Sequence, residues 1–192
     1  MLRKPLYAFI FLMLVLLLAG CDAPTAPAEK DKAMEGQPAQ SSSITSTTPA
    51  AVSQSTMQIT TYQAAKNAEY LVAEKQTVAK SEHPAKTALE LLVAGPRSKE
   101  LVSVVPPGTK VLGVNISKGI AYADFDETLV KNNHSGATAE QLLVVAIVNT
   151  LTEFPEIEKV KILVNGKSVD TISGHMDTSE PFGRSEELIK KN

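Results

Sequence analysis

The sequence predicts an α+β domain, a small two-layer fold in which two helices pack on one face of a mixed sheet. Three observations carry this reading. The first is the run Leu142-Leu143-Val144-Val145-Ala146-Ile147-Val148, set in a helical pattern that Pro155 brings to a stop. The second is a shorter apolar segment opened by Pro84, a favoured first helical residue, and closed by Ala94-Gly95-Pro96. The third is a set of β-rich segments joined by the tight-turn dipeptides Lys118-Gly119 and Asn165-Gly166.

Taken in order, Met57–Tyr62 alternates as a first strand, and Tyr70–Val78 reads as a second with an irregular start near Asn67. In the helix that starts at Pro84, Ala85, Ala88, Leu89, Leu92 and Val93 form the apolar face. Residues 97–108 form a loop with one turn at Ser98–Val102, ending on Pro106-Pro107-Gly108. Lys110–Ser117 and Ile120–Phe125 make a hairpin, and Gly113 inside its first strand marks a bulge or a close backbone approach. Residues 126–137 are polar and turn-rich.

The long helix follows. Thr138 with Gln141 three positions on has the form of a capping box. Leu143, Ile147, Leu151 and Phe154 recur at i, i+4, i+8 and i+11, which places Glu140 and Glu153 on the polar side. Replacing either glutamate there is expected to change stability by no more than about 0.5 kcal/mol. Val160–Val164 is the next strand, Ser168–Ile172 returns across the Asn165-Gly166 turn, and a polar tail closes the chain.

The apolar residues, 43% of the 192, are unevenly spread. The first twenty and the next thirty-six residues do not read as core, which leaves about 135, a common size for one domain. Trp is absent and aromatics are 5%, so the core is aliphatic. A formal net charge of −2 and the lack of a basic stripe argue against nucleic-acid binding.

Arg3-Lys4 followed by the apolar run Leu6–Leu18 has the layout of a signal peptide over residues 1–20, too short for a comfortable membrane span. Leu18-Ala19-Gly20-Cys21 resembles the lipobox of bacterial lipoproteins, and Cys21 is the sole cysteine, so a disulfide within one chain is excluded. The resemblance implies a diacylglyceryl thioether on Cys21, cleavage before it, and anchoring at the extracytoplasmic face of the cell membrane; an uncleaved signal anchor is the alternative. Two or more acyl chains give stable attachment where one does not. After Cys21, residues 22–56 are rich in Pro, Ala, Ser and Thr and nearly free of large apolar side chains. They read as a disordered tether with a reach of about 30–35 Å.

Within the folded part, several separated stretches resemble one family. Ala88-Leu89-Glu90-Leu91-Leu92-Val93-Ala94-Gly95-Pro96, then Val105-Pro106-Pro107-Gly108-Thr109-Lys110-Val111-Leu112, are similar to the opening half of the GerM domain, the sporulation and spore germination domain. Gly119-Ile120-Ala121-Tyr122-Ala123-Asp124-Phe125 fits its G-x-A-x-V-D-F pattern. Ile147–Pro155 with Val160–Lys167 fits its second helix and strand, and Ser173–Asp177 with Pro181-Phe182 its closing segment. The resemblance covers residues 57–184 as a single domain, with 185–192 as the polar tail. It implies a ring-building-motif-like fold and a noncatalytic domain of the cell envelope, often carried on lipoproteins. The namesake resembles two tandem copies; this chain has room for one.

The sequence offers little chemistry. His83, His134 and His175 are 51 and 41 positions apart, without the spacing of a zinc site. Asp124-x-Asp126-Glu127 lacks the glycine and distal glutamate of a calcium loop. No metal and no cofactor is expected. Leu101, Val102, Val104 and Val105 are apolar residues in an expected loop, read either as packing under the sheet or as an exposed partner patch. Two functions follow. One is a noncatalytic, lipid-anchored interaction module whose partners are envelope proteins or a second copy of the chain. The other is an enzyme or carbohydrate-binding protein acting on peptidoglycan through Asp124, Asp126 and the acidic tail.

Replacing the sole cysteine tests the anchor. Cys21→Ser is expected to abolish metabolic palmitate labelling and membrane retention while leaving the domain folded, as read by cell fractionation. Full retention of the Ser variant would favour a signal anchor.

Overall fold

The computed structural model describes residues 55–134 and 136–190. The expected signal peptide, Cys21 and the tether up to residue 54 lie outside the described residues.

Strands β1 (Thr56–Ala65) and β2 (Leu71–Ala79) form an antiparallel hairpin in register from Thr56↔Ala79 to Ala64↔Leu71. The two-residue strand β3 (Leu101–Val102) adds to the other side of β1, giving the sheet order β2-β1-β3. Thr61 to Ala65 of β1 are buried without alternation, as befits a central strand covered on both faces. The turn expected at Ser98–Val102 forms over Ser98–Leu101, where Leu101 N–H donates to Ser98 O at 3.2 Å, and β3 follows directly from it.

The second sheet is mixed. β4 (Val111–Ser117) pairs antiparallel with β5 (Ile120–Phe125), and β5 pairs parallel with β6 (Lys159–Val164). β7 (Lys167–Ser168) and β8 (Phe182–Gly183) both pair antiparallel with β6, at its two ends. The register slips between Val111 and Gly113, which is the bulge the interior glycine suggested. Both turn dipeptides adopt left-handed backbone, Lys118-Gly119 at φ 50° and 75° and Asn165-Gly166 at 49° and 74°. These are the conformations a two-residue hairpin turn demands.

Helix α1 (Pro84–Ala94) links β2 to β3. The connection from β5 to β6 carries the short helix α2 (Thr128–Lys131) and the long helix α3 (Ala137–Leu151). α1 packs on β1, β4 and α3, and α3 packs on β1, β6 and α1. The molecule is therefore α+β, as expected, with its strands divided between two sheets. The reason lies in α3. Seven consecutive apolar residues leave no side of the helix suited to water, so one sheet is not cover enough. Every residue from Leu142 to Leu151 is buried.

Several boundaries differ from those expected. α3 starts at Ala137 with Gly136 as its N-cap, two residues before Thr138 and with no side-chain cap, so the capping box does not form. It ends at Leu151, before Phe154, because the Thr152 hydroxyl donates back to Val148 O at 2.9 Å and the chain turns there. The turn-rich 126–137 region holds α2, whose Leu129 is buried. The returning strand expected over Ser168–Ile172 is only two residues long, because Ile172 is drawn under α3 instead.

The expected polar tail after residue 184 is a structural strap. Leu71 N–H donates to Leu188 O at 2.6 Å, and Lys190 N–H donates to Leu71 O at 2.8 Å, so the chain end bridges to β2. Buried Asn149 of α3 donates to Ser185 O at 2.6 Å and accepts from Ser185 N–H at 3.0 Å. Arg184 stacks over the Tyr62 ring at 5.4 Å and donates to the Tyr62 hydroxyl at 2.7 Å and to Glu153 at 2.9 Å. Glu153 is therefore engaged, and its assignment to a free polar side does not hold. The strap starts at β8 on the second sheet and finishes on β2 of the first.

Asn149→Ala strips the partners from the Ser185 amide and carbonyl. It is expected to cost about 1–3 kcal/mol in urea unfolding and to speed hydrogen exchange at Leu71 and Lys190. Unchanged exchange there would mean the strap is held elsewhere.

Candidate partner-binding groove

β3 continues into the segment 103–109, which folds back on itself through local bonds. Ser103 Oγ donates to Val105 O at 3.1 Å, Thr109 Oγ1 donates to Pro106 O at 2.8 Å, and Gly108 turns the chain at φ 86°. Asn132, at the end of α2, donates through Nδ2 to Pro107 O at 3.2 Å. The segment is thereby held away from the first turns of α3, and a groove of about 270 Å³ opens between them. Val102, Val104 and Pro106 line one side, Ala139 and Leu142 of α3 the other, and His134 stands at the rim.

Of the four apolar residues singled out from the sequence, three reach this groove. Val102 is 40% exposed and Val104 half-buried. Val105 is only 4% exposed and packs in the core, so its expected place on a docking surface is corrected: it is floor, and no partner reaches most of it. Leu101, one step along β3, lines a separate concavity with Tyr70 and Lys190. Adjacent residues of a strand face opposite ways, which separates Leu101 from Val102.

The carboxylates Asp124, Asp126 and Asp177 of the enzyme hypothesis are each engaged by backbone amides. Asp124 Oδ1 accepts from Gly166 N–H at 2.8 Å. Asp126 accepts from Lys110 N–H at 3.0 Å and from the Thr128 hydroxyl at 2.9 Å. Slight desolvation works against its charge, yet those donors hold its pKa below the ordinary carboxylate value. Asp177 accepts from Ser179 N–H at 2.8 Å. Among the described residues no group of three or more His, Cys, Asp or Glu stands close enough to hold a metal. Cys21 lies outside the described residues.

Glu140, like Glu153, does not stand on a free polar side of α3. It has no exposed surface and sits in the first turn of α3, beside the groove-lining Ala139. Its Oε1 accepts from the amides of Ile172 and Ser173 at 3.0 and 2.9 Å and from the Thr171 hydroxyl at 2.9 Å. Its Oε2 accepts from the His175 amide at 2.8 Å and lies 3.2 Å from His175 Nδ1. Burial alone would raise its pKa, but these donors, led by the Ser173 amide, lower it from 4.5 to about 2. The 171–175 loop is wrapped around one carboxylate. The sign of this was present in the sequence: a helix with seven apolar residues in a row has no polar side on which to put a glutamate.

The chain resembles known proteins along most of this fold. Residues 58–170 match the family model Germane, described as sporulation and spore germination. The spore germination protein GerM of Bacillus subtilis strain 168 is 39% identical over 103 residues, covering 50% of this chain. The chain spans only 27% of that protein's length. The solved tandem GerMN domains of the B. subtilis sporulation protein GerM align with TM-score 0.59 and 32% identity, over 67% of this chain and 46% of that one. The first GerMN domain alone aligns with TM-score 0.59 and 33% identity, over 67% of this chain and 98% of its own length. A Clostridium perfringens protein proposed to be a lipoprotein aligns with TM-score 0.50 and 29% identity, over 67% and 87%.

Glu140→Ala is expected to cost at least about 3 kcal/mol, since it leaves several buried donors unpaired. With its folded pKa below the unfolded one, the carboxylate contributes fully above pH 4.5, and that contribution is lost as pH falls toward about 2. Urea unfolding across that window should show a steep loss for the wild type and a flatter profile for Glu140→Ala.

Proposed function

The chain belongs to the Germane family of sporulation and spore germination domains, and on that premise we propose that it is a lipid-anchored, noncatalytic interaction module of the cell envelope. Cys21 carries the lipid at the extracytoplasmic face, the residues between it and β1 act as the spacer, and the domain recruits a partner protein through the groove. The observation that carries this reading is the groove itself: a preformed apolar recess whose mouth includes exposed Val102 and half-buried Val104. An apolar recess at the end of a short edge strand suits a protein side chain better than a sugar, which calls for aromatic platforms and polar rims. That Asp124, Asp126 and Asp177 each accept main-chain hydrogen bonds supports the interaction reading over the hydrolase alternative.

A photo-crosslinking amino acid at Val102, placed in cells of the source organism, is expected to capture one discrete envelope protein. The same probe at Lys75, on the exposed side of β2, should not. Val104→Glu should reduce the Val102 adduct at least tenfold with little change in melting temperature. Equal adducts from Val102 and Lys75, or loss of cell-wall turnover on replacing Asp124 or Asp126, would overturn the proposal.

A further inference from the structure

β4 lies at the end of the second sheet, with β5 on one side and no described strand on the other. The two-residue turn Lys118-Gly119 makes Ser117 and Ile120 the closing hydrogen-bonded pair of the hairpin. Hydrogen-bonded and non-hydrogen-bonded pairs then alternate, so Asn115 and Gly113 bond inward to Tyr122 and Asp124. The amides and carbonyls of Val114 and Ile116 are left directed at the open edge. Native edges are ordinarily blunted by charge, proline or a bulge. Here the bulge sits at the far end, between Val111 and Gly113, and the regular stretch from Val114 to Ser117 carries neither charge nor proline. Leu112 is 47% and Ile116 40% exposed.

Two further features say what would lie along this edge. Beside Val114 and Ile116 a concavity of about 250 Å³ opens toward the start of α1, with Pro84 and Ala85 in its wall and Glu82 and Glu156 also lining it. Exposed Lys110 and Lys118 bracket the strand, and neither ammonium is in an ion pair among the described residues. We propose that β4 is a docking edge for an extended segment of a partner protein, apolar at its centre and acidic at its ends, which joins the sheet as an additional strand. Val114 and Ile116 supply the main-chain hydrogen bonds, the concavity takes an apolar side chain, and the terminal carboxylates meet Lys110 and Lys118. A second copy is disfavoured, because antiparallel pairing of two β4 strands centred on Val114 sets Lys110 of each against Lys118 of the other. This edge is distinct from the groove, and the inference stands whether or not the groove binds anything.

The test uses the full chain purified in detergent. The probe is a capped nine-residue peptide with glutamate at both ends and alternating valine and threonine between. Hydrogen exchange resolved to single amides should show protection of at least tenfold at Val114 and Ile116. Binding should weaken tenfold or more for the same peptide with lysine ends, and for Ile116→Pro, which removes an outward donor but no bond to β5. Should Ile116→Pro fold poorly, Lys118→Glu, a change at an exposed turn, is expected to abolish the preference for the glutamate-ended peptide. Equal binding of both peptides, protection confined to other strands, no binding up to millimolar peptide, or peptide-free self-association that protects the same amides would each overturn the proposal.

Discussion

The structure depends on the burial of α3 from every side between Leu142 and Leu151. A helix that offers water no polar face must be enclosed, and enclosure turns each polar residue it carries into an obligation. Glu140, Asn149 and Thr150 are the three that matter most. Each is met by backbone from a different part of the chain: Glu140 by the amides of the 171–175 loop, Asn149 by Ser185, and Thr150 through Oγ1 by the Tyr62 amide of β1 at 3.2 Å. The apolar surface supplies the drive, and these three side chains fix where the surrounding segments attach. Lys161 of β6 repeats the pattern outside the helix, donating to the carbonyls of Thr178 and Ser179.

What could be read from the sequence was whatever has a local cause. Pro84 and Gly95 bound α1 because one lacks an amide the first turn does not need and the other takes φ 84° without strain. Lys118-Gly119 and Asn165-Gly166 set their hairpins for the same kind of reason. What could not be read has a distant cause. β3 is a strand only because β1 is beside it, and Glu140 finds its donors only because residues 171–175 come to it. The strap after Phe182 looks polar because its fixings are mostly main-chain groups, which a side-chain pattern does not reveal. Thr138 shows the converse: a sound local motif is passed over because the helix is capped two residues earlier, on Gly136.

The groove follows the same division. Val102, Val104 and Val105 stood out as apolar residues in an expected loop, and the structure brings all three to one recess. Their different roles come from α2 and α3, which the sequence alone does not place against them. The Germane family match, residues 58–170, takes in all the residues that line the recess. Asp124, Asp126, Asp177 and Glu140 each accept main-chain hydrogen bonds that hold a turn or a loop.

The strap has a consequence for how the protein comes into being. Tyr62 and Arg184 are 122 positions apart, and Leu71 finds its last partners at Leu188 and Lys190. A growing chain that has not yet released residue 190 can form its hairpins and helices, but the two sheets remain unclasped and Asn149 lacks its partner. The domain therefore completes its packing only once residues 184–190 are free to fold back, in a step that joins its first two strands to its last turn. Contacts of such long range also slow that step.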